Sequence, residues 1–230
     1  GGWTGSFVFP RIQGIDACGR VVAVGAGVAS SRVGERVVVE PCWTDRSGRT
    51  VFLGSEVDGA FAEYVVVRED RNVVAKPANL TFEQAAAVPV AAITALQALR
   101  DKGRVKPGDK VLVNGASGGV GTFAVQIAKT LGAEVTGVCS TRNVDLVRSL
   151  GADHVVDYTR EDFTLGSTKY DVIVDMVGSH GLLEYRRVLA DDPGPHRHRV
   201  EHASVLDDPT VELLAELGVG REDLIEEVAR

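Results

Sequence analysis

From Val111 to Gly121 the chain reads Val-Leu-Val-Asn-Gly-Ala-Ser-Gly-Gly-Val-Gly. An apolar run of buried-strand type enters a turn crowded with glycine. Beyond it Val120, Phe123, Ala124, Ile127, Ala128 and Leu131 recur at helical spacing. The chemistry open to such a segment is anion binding. Glycine lets the backbone come close to a pyrophosphate, and the first N–H groups and dipole of the following helix favour negative charge. The spacing departs from G-x-G-x-x-G because Ala116 holds the first glycine position, yet Gly115, Gly118 and Gly121 keep a G-x-x-G-x-x-G rhythm around Ser117, Gly119 and Val120. No Lys-Ser/Thr pair follows the glycines, which excludes a P-loop. The competing reading is a glycine-rich turn that only packs.

The end of the next strand reports which dinucleotide fits. NAD sites usually place Asp or Glu about 20 residues after the motif, on the ribose hydroxyls. Here Val135–Cys139 is followed by Ser140-Thr141-Arg142, and no acid appears until Asp145. Ser140 and Arg142 offer hydroxyl and guanidinium donors to a 2′-phosphate, which Arg can grip as a fork. They favour NADP(H). The alternative for Arg142 is a solvated cation at a helix start.

A sheet has to hold these turns side by side. Strand patterns at Val111–Val113, Val135–Cys139, His154–Asp157 and Asp171–Val177 alternate with helical ones at 120–131, 144–150 and 182–189. Gly132 and Gly151 are natural helix stops. This alternation predicts an α/β fold with a parallel sheet and right-handed crossovers. The phrases Thr130-Leu-Gly-Ala133 and Ser149-Leu-Gly-Ala152 repeat where each helix feeds the next strand.

Residues 1–76 read as β-rich. Val21–Val24, Val37–Val39 and Ala62–Val67 are short runs beside glycine turns, and polar Thr44–Ser55 reads as a loop. Phe82–Leu99 is helical in pattern, capped by Thr81 and interrupted at Pro89. Residues 191–230 open with the breaker Asp191-Asp192-Pro193-Gly194-Pro195 and hold His196, His198 and His202. Asp208 and Pro209 look like a helix start, with apolar positions Leu213, Leu214 and Leu217, then Leu224, Ile225 and Val228.

The 230 residues carry 25 basic and 32 acidic side chains, a net charge of −7. That balance argues against nucleic acid or an anionic membrane as partner. The longest uncharged apolar stretch, Ala85–Leu96, contains Pro89 and is shorter than the ~20 residues of a membrane span. The start carries no signal-peptide pattern. Three well-separated cysteines suit free thiols in a reducing, cytoplasmic setting. The only methionine is Met176, so Gly1 is not an initiator and the expectation is a chain processed, excised or incomplete at its start.

The run Gly108–Lys129 resembles the signature of the zinc-free quinone oxidoreductase, or zeta-crystallin-like, branch of the medium-chain dehydrogenases. Gly14-Ile-Asp-Ala-Cys-Gly19, Gly34-Glu-Arg-Val37, Gly59-Ala-Phe-Ala-Glu-Tyr64 and Gly151-Ala-Asp-His154 agree with it, and the likeness covers roughly residues 8–190. It implies a partial GroES-like β-domain over residues 1–84, then a partial Rossmann, doubly wound parallel sheet over residues 85–190. It implies NADPH-dependent reduction of a quinone, enone or related carbonyl compound, with a nucleotide-binding module lacking turnover as the alternative.

By the same resemblance Ser117, Gly118, Gly119 and Val120 form the pyrophosphate turn, with Gly115, Ala116 and Gly121 around them. Ser140 and Arg142 take the 2′-phosphate, where a family Lys falls at Asn143. Tyr158 lies near the adenosine phosphate, Val177 and Gly178 by the nicotinamide ribose, and Thr94 in the helix bordering the nicotinamide. Zinc-dependent relatives carry Gly-His-Glu where this chain has Gly14-Ile15-Asp16, and four close cysteines that it lacks, so no metal site is expected. No catalytic residue is assigned; Tyr64 is a candidate proton donor, but its phrase reads as a structural strand. Relatives dimerise through the Rossmann sheet edge, so a homodimer is a possibility. After Leu189 they continue with a glycine turn and a fifth Rossmann strand. Here residues 191–230 are expected to be a helical tail outside the family, resembling at His198–Leu206 a piece of the amidohydrolase superfamily.

Overall fold

A computed structural model describes residues 10–70, 72–190 and 199–202. They fall into two units, divided between Val90 and Ala91.

In the first unit β1 (Ala17–Arg20), β2 (Arg36–Val39), β3 (Cys42–Thr44), β4 (Thr50–Phe52) and β5 (Val73–Ala75) are all short. β2 lies between β1 and β5, antiparallel to both, and β3 pairs antiparallel with β4. Val37, Val38 and Val39 are buried, as suits a central β-branched strand. Three expectations change here. The first strand is Ala17–Arg20 and not Val21–Val24, because Arg36–Val39 offers its ladder to the earlier residues. Thr44–Ser55 is not a loop throughout but contains the arm and tip of a hairpin. At the tip the Asp45 carboxylate accepts from Ser47 N–H at 2.8 Å, Ser47 hydroxyl at 2.6 Å and Arg49 N–H at 3.1 Å. The polar residues that suggested a loop are the turn's own bonding groups. Ala62–Val67 has strand composition but forms no ladder among the described residues, and Val66 is 95% exposed. β-propensity takes effect only where a partner strand closes the hydrogen bonds.

Helix α1 (Phe82–Ala86) begins at Thr81 in a reciprocal cap. Thr81 hydroxyl accepts from Gln84 N–H at 3.2 Å and Gln84 Oε1 accepts from Thr81 N–H at 2.8 Å. Helix α2 (Pro89–Leu96) starts on Pro89, where a missing N–H costs nothing, and continues as a π-helical stretch to Lys102. α1 packs on β1 and β2, which places it in the first unit beyond the expected boundary at residue 84.

The second unit runs β6 (Lys110–Asn114), α3 (Gly119–Thr130), β7 (Glu134–Cys139), α4 (Val144–Ser149), β8 (His154–Asp157), β9 (Val172–Asp175), α5 (Leu182–Val188) and β10 (Arg199–His202). The five strands form one parallel sheet in the order β10-β9-β6-β7-β8. Val111, Leu112, Val113, Val135, Ile173 and Val174 have no exposed surface, the pattern of strands covered on both faces. Gly132 and Gly151, at φ +82° and +99°, end α3 and α4 where a left-handed residue is needed.

The expected helical tail from residue 191 is corrected at Arg199–His202. These residues pair in parallel with Val172–Asp175, so the sheet does continue past α5. The edge of β9 presents unpaired N–H and C=O groups, which the next extended segment satisfies. The breaker cluster, His196, His198 and the helices expected near Leu213 and Leu224 lie outside the described residues.

Chain order and strand order part company at β6. The chain moves outward through β7 and β8, then returns to the other side of β6 as β9. In doubly wound sheets ligands bind beyond the carboxyl ends of the strands at this reversal.

Candidate functional site

The turn after β6 is built by glycines with two different jobs. A Cβ on Gly121 would lie 2.1 Å from Gly115 O and 2.8 Å from Gly115 C, so the first turn of α3 can sit on the loop only without a side chain there. Gly115, at φ +88°, would bring a Cβ 3.0 Å from Val177 Cγ2. Gly118 would bring one 3.3 Å from Gly115 O. Gly119 differs: it is exposed, and a Cβ on it meets nothing within 4 Å. Its bareness leaves open space over the turn instead of relieving a clash inside it.

The loop spends some donors on itself. Gly115 and Ala116 N–H donate to Val138 O at 3.2 and 3.0 Å, and Gly118 N–H to Gly115 O at 2.9 Å. The N–H groups of Gly119, Val120 and Gly121 open α3, whose N-cap Gly118 provides no side-chain acceptor. They are the orphan donors of a helix start, and an anion suits them. Ala116 is fully buried, its methyl beside Gly137 of β7, where a second Cβ would lie 3.1 Å away. It supports the turn from below.

The end of β9 adjoins this turn across the reversal. Val177, 57% exposed, leans over Gly115, and Gly178 turns the chain at φ +68°. Buried Asp175 holds the turn: its carboxylate accepts from Val177 N–H at 3.0 Å, Gly178 N–H at 3.1 Å, Asn114 Nδ2 at 2.9 Å and Tyr185 hydroxyl at 2.5 Å. Burial alone would raise its pKa, but Tyr185, the two backbone N–H groups and Asn114 outweigh burial and hold it below the ordinary carboxylate range. Burial and the Asp175 charge push the Tyr185 phenol well above its usual range. Asp175, Asn114 and Tyr185 did not emerge from motif reading. The available signal was an acid closing the apolar run Val172-Ile-Val, since a buried charge needs partners.

The end of β7 carries Ser140, then a 3-10 turn over Thr141–Asn143. Asn143 Nδ2 donates to Ser117 Oγ at 2.9 Å and to Ser140 Oγ at 3.3 Å, so two predicted residues meet through a third. Arg142 is exposed and pairs with no carboxylate among the described residues. At the end of β8 the Asp157 carboxylate accepts from Thr141 hydroxyl at 2.5 Å and from Thr159 N–H and hydroxyl at 3.0 and 2.7 Å. The Thr141 hydroxyl is the main reason its pKa falls below the ordinary range. Tyr158 follows, 62% exposed, its N–H on Cys139 O at 3.1 Å. Thr94 is buried within α2 and presents no open face. Cys18, Cys42 and Cys139 are thiols held in no disulfide. Among the described residues no group of three His, Cys, Asp or Glu side chains could hold a metal ion.

Residues 1–78 match the family model described as alcohol dehydrogenase GroES-like domain, and residues 119–192 the one described as zinc-binding dehydrogenase. The chain is 38% identical over 205 residues to the chloroplastic quinone-oxidoreductase homolog of Spinacia oleracea, covering 81% of this chain and 58% of that one. It is 37% identical over 175 residues to the chloroplastic NADPH-dependent alkenal/one oxidoreductase of Arabidopsis thaliana, covering 74% and 42%. A crystal structure of an NAD-dependent alcohol dehydrogenase superposes with a TM-score of 0.73 at 35% identity, over 80% of this chain and 59% of that one. The chain thus spans about 58% of the length of its quinone-oxidoreductase relative. The β-rich first unit, the parallel sheet with its glycine turn, and the two matched models carry one conclusion: the chain belongs to the medium-chain dehydrogenase/reductase superfamily.

Proposed function

We propose that the second unit binds NADP(H), and that the protein reduces a quinone, enone or related carbonyl compound by hydride transfer without zinc. The observation that carries this reading is the meeting of the Gly115–Gly121 turn with the Val177–Gly178 turn where the strand order reverses. The residues fit the group. Gly119 leaves space over the turn, and the first N–H groups of α3 face no competing cap. Gly119, Val120 and Gly121 would hold the pyrophosphate, Ser140 and Arg142 the 2′-phosphate, and Val177 with Gly178 the nicotinamide ribose. Tyr158 would flank the adenosine phosphate. Bound NADPH supplies the hydride.

The zinc-free reading rests on side-chain chemistry. Ile15 has no ligating atom, and the adjacent Asp16 carboxylate accepts the Val90 N–H at 3.1 Å. Burial raises the Asp16 pKa, with that N–H pulling the other way. Without a Lewis acid, catalysis rests on positioning and on a protein or water proton donor. The names of the spinach and Arabidopsis relatives support a quinone or enone as acceptor.

Arg142→Ala tests the cofactor choice. A charge-assisted bond to phosphate is worth about 1.5–3 kcal/mol, so the NADPH Kd should rise roughly tenfold or more while the NADH Kd moves less than about twofold. Equal effects on both, read by nicotinamide fluorescence, would sink the assignment. NADPH oxidation with a quinone and enone panel then distinguishes turnover from binding alone.

A further inference from the structure

Two turns that the sequence keeps 26 residues apart are joined by one side chain. Asn143 Nδ2 donates to Ser117 Oγ at 2.9 Å and Ser140 Oγ at 3.3 Å, and the Asn143 backbone N–H donates to Ser140 O at 2.9 Å. An amide N–H can only donate, so both serine oxygens act as acceptors in these bonds. Each serine keeps its own O–H proton, and among the described residues no acceptor takes either one. The Arg142 guanidinium, two residues after Ser140, likewise pairs with no carboxylate among the described residues.

The nearby acceptor is, by contrast, used up. Asp157, at the end of the neighbouring strand, already takes the Thr141 and Thr159 hydroxyls and the Thr159 N–H, with Arg160 Nε at 3.4 Å. Beside Ser140 and Arg142 this edge therefore offers unspent donors, while the Asp157 carboxylate is already engaged. That is the complement of a phosphoryl dianion, whereas a ribose hydroxyl is best held by Asp or Glu.

We propose that Asn143 is a positioning residue for cofactor selectivity: by donating to Ser117 and Ser140 it leaves both hydroxyl protons for a 2′-phosphate. The proposal rests on the NADP(H) reading above and adds to it the residue that sets the direction of the donors. Asn143→Ala removes the donor. Asn143→Asp, nearly isosteric, replaces it with an acceptor, so the serine hydroxyls turn inward and a negative charge faces the phosphate.

The experiment titrates the full 230-residue chain and both variants with NADPH and NADH by fluorescence. Displacement by adenosine 2′,5′-bisphosphate and by ADP is run alongside. The wild type should prefer NADPH. The ratio of NADH to NADPH dissociation constants should fall about five- to tenfold in N143A, the size of one lost hydrogen bond, and further in N143D. The bisphosphate should lose its advantage over ADP in the same order. A merely structural role would weaken both cofactors alike and leave the ratio in place. An unchanged ratio in both variants of a wild type that prefers NADPH overturns the role of Asn143 alone. A wild type with no preference overturns the NADP(H) reading and this proposal with it.

Discussion

Gly121→Ala should lower the melting temperature of the chain by about 6–12 °C and abolish NADPH binding. The added Cβ would lie 2.1 Å from Gly115 O and 2.9 Å from Ala116 Cα. These are backbone atoms, with no flexible side chain that could swing aside. Overpacking costs about 1–3 kcal/mol, and a backbone clash belongs at the top of that range. Gly119→Ala is the informative contrast. Its Cβ meets nothing within 4 Å, and Ala is favoured over Gly in a helix by about 0.5–1 kcal/mol. The melting temperature should hold or rise, while the NADPH Kd should increase at least about tenfold, because the methyl occupies the space over the turn. A turn that exists only for packing predicts no change in affinity. Calorimetry and fluorescence titration of the two variants separate these outcomes.

Asp175→Ala should destabilise the chain by about 3–5 kcal/mol, since it strips a buried acceptor from Asn114, Tyr185 and the N–H groups of Val177 and Gly178 at once. The wild-type protein should show the same interaction in its acid limb. The folded-state pKa of Asp175 is depressed, so its contribution is present above the unfolded carboxylate pKa of about 4 and is lost as pH falls through the lower folded value. Asp175→Asn should therefore flatten the decline of melting temperature below about pH 4. An Asn variant with the wild-type acid limb would contradict this account of the Val177–Gly178 turn.

Much of the second unit could be read from sequence because its strands are covered on both faces. Such strands appear as unbroken apolar runs between helical patterns, and His154–Asp157 coincides with the expectation residue for residue. The glycine turn was equally plain, since each of its glycines leaves a gap in the side-chain pattern. Less could be read wherever partners decide the outcome. Ala62–Val67 and Thr50–Phe52 are both β-branched or aromatic in part, yet among the described residues only the second has a strand beside it to pair with. Arg199–His202 is too short and too polar to announce itself, and only the edge of β9 makes it a strand. At the site the motif residues were visible but their fasteners were not. Asn143 and Asp175 act across gaps of 26 and 61 residues, distances at which a single sequence carries no pairing signal.

The dinucleotide reading of the β6–α3 turn is settled by titrating the isotopically labelled chain with NADPH and following its backbone amide resonances. Saturable shifts concentrated at Ser117–Gly121, at Ser140–Asn143 and at Val177–Gly178 are the predicted result. No saturable change up to millimolar NADPH, or changes confined to other segments, would contradict it.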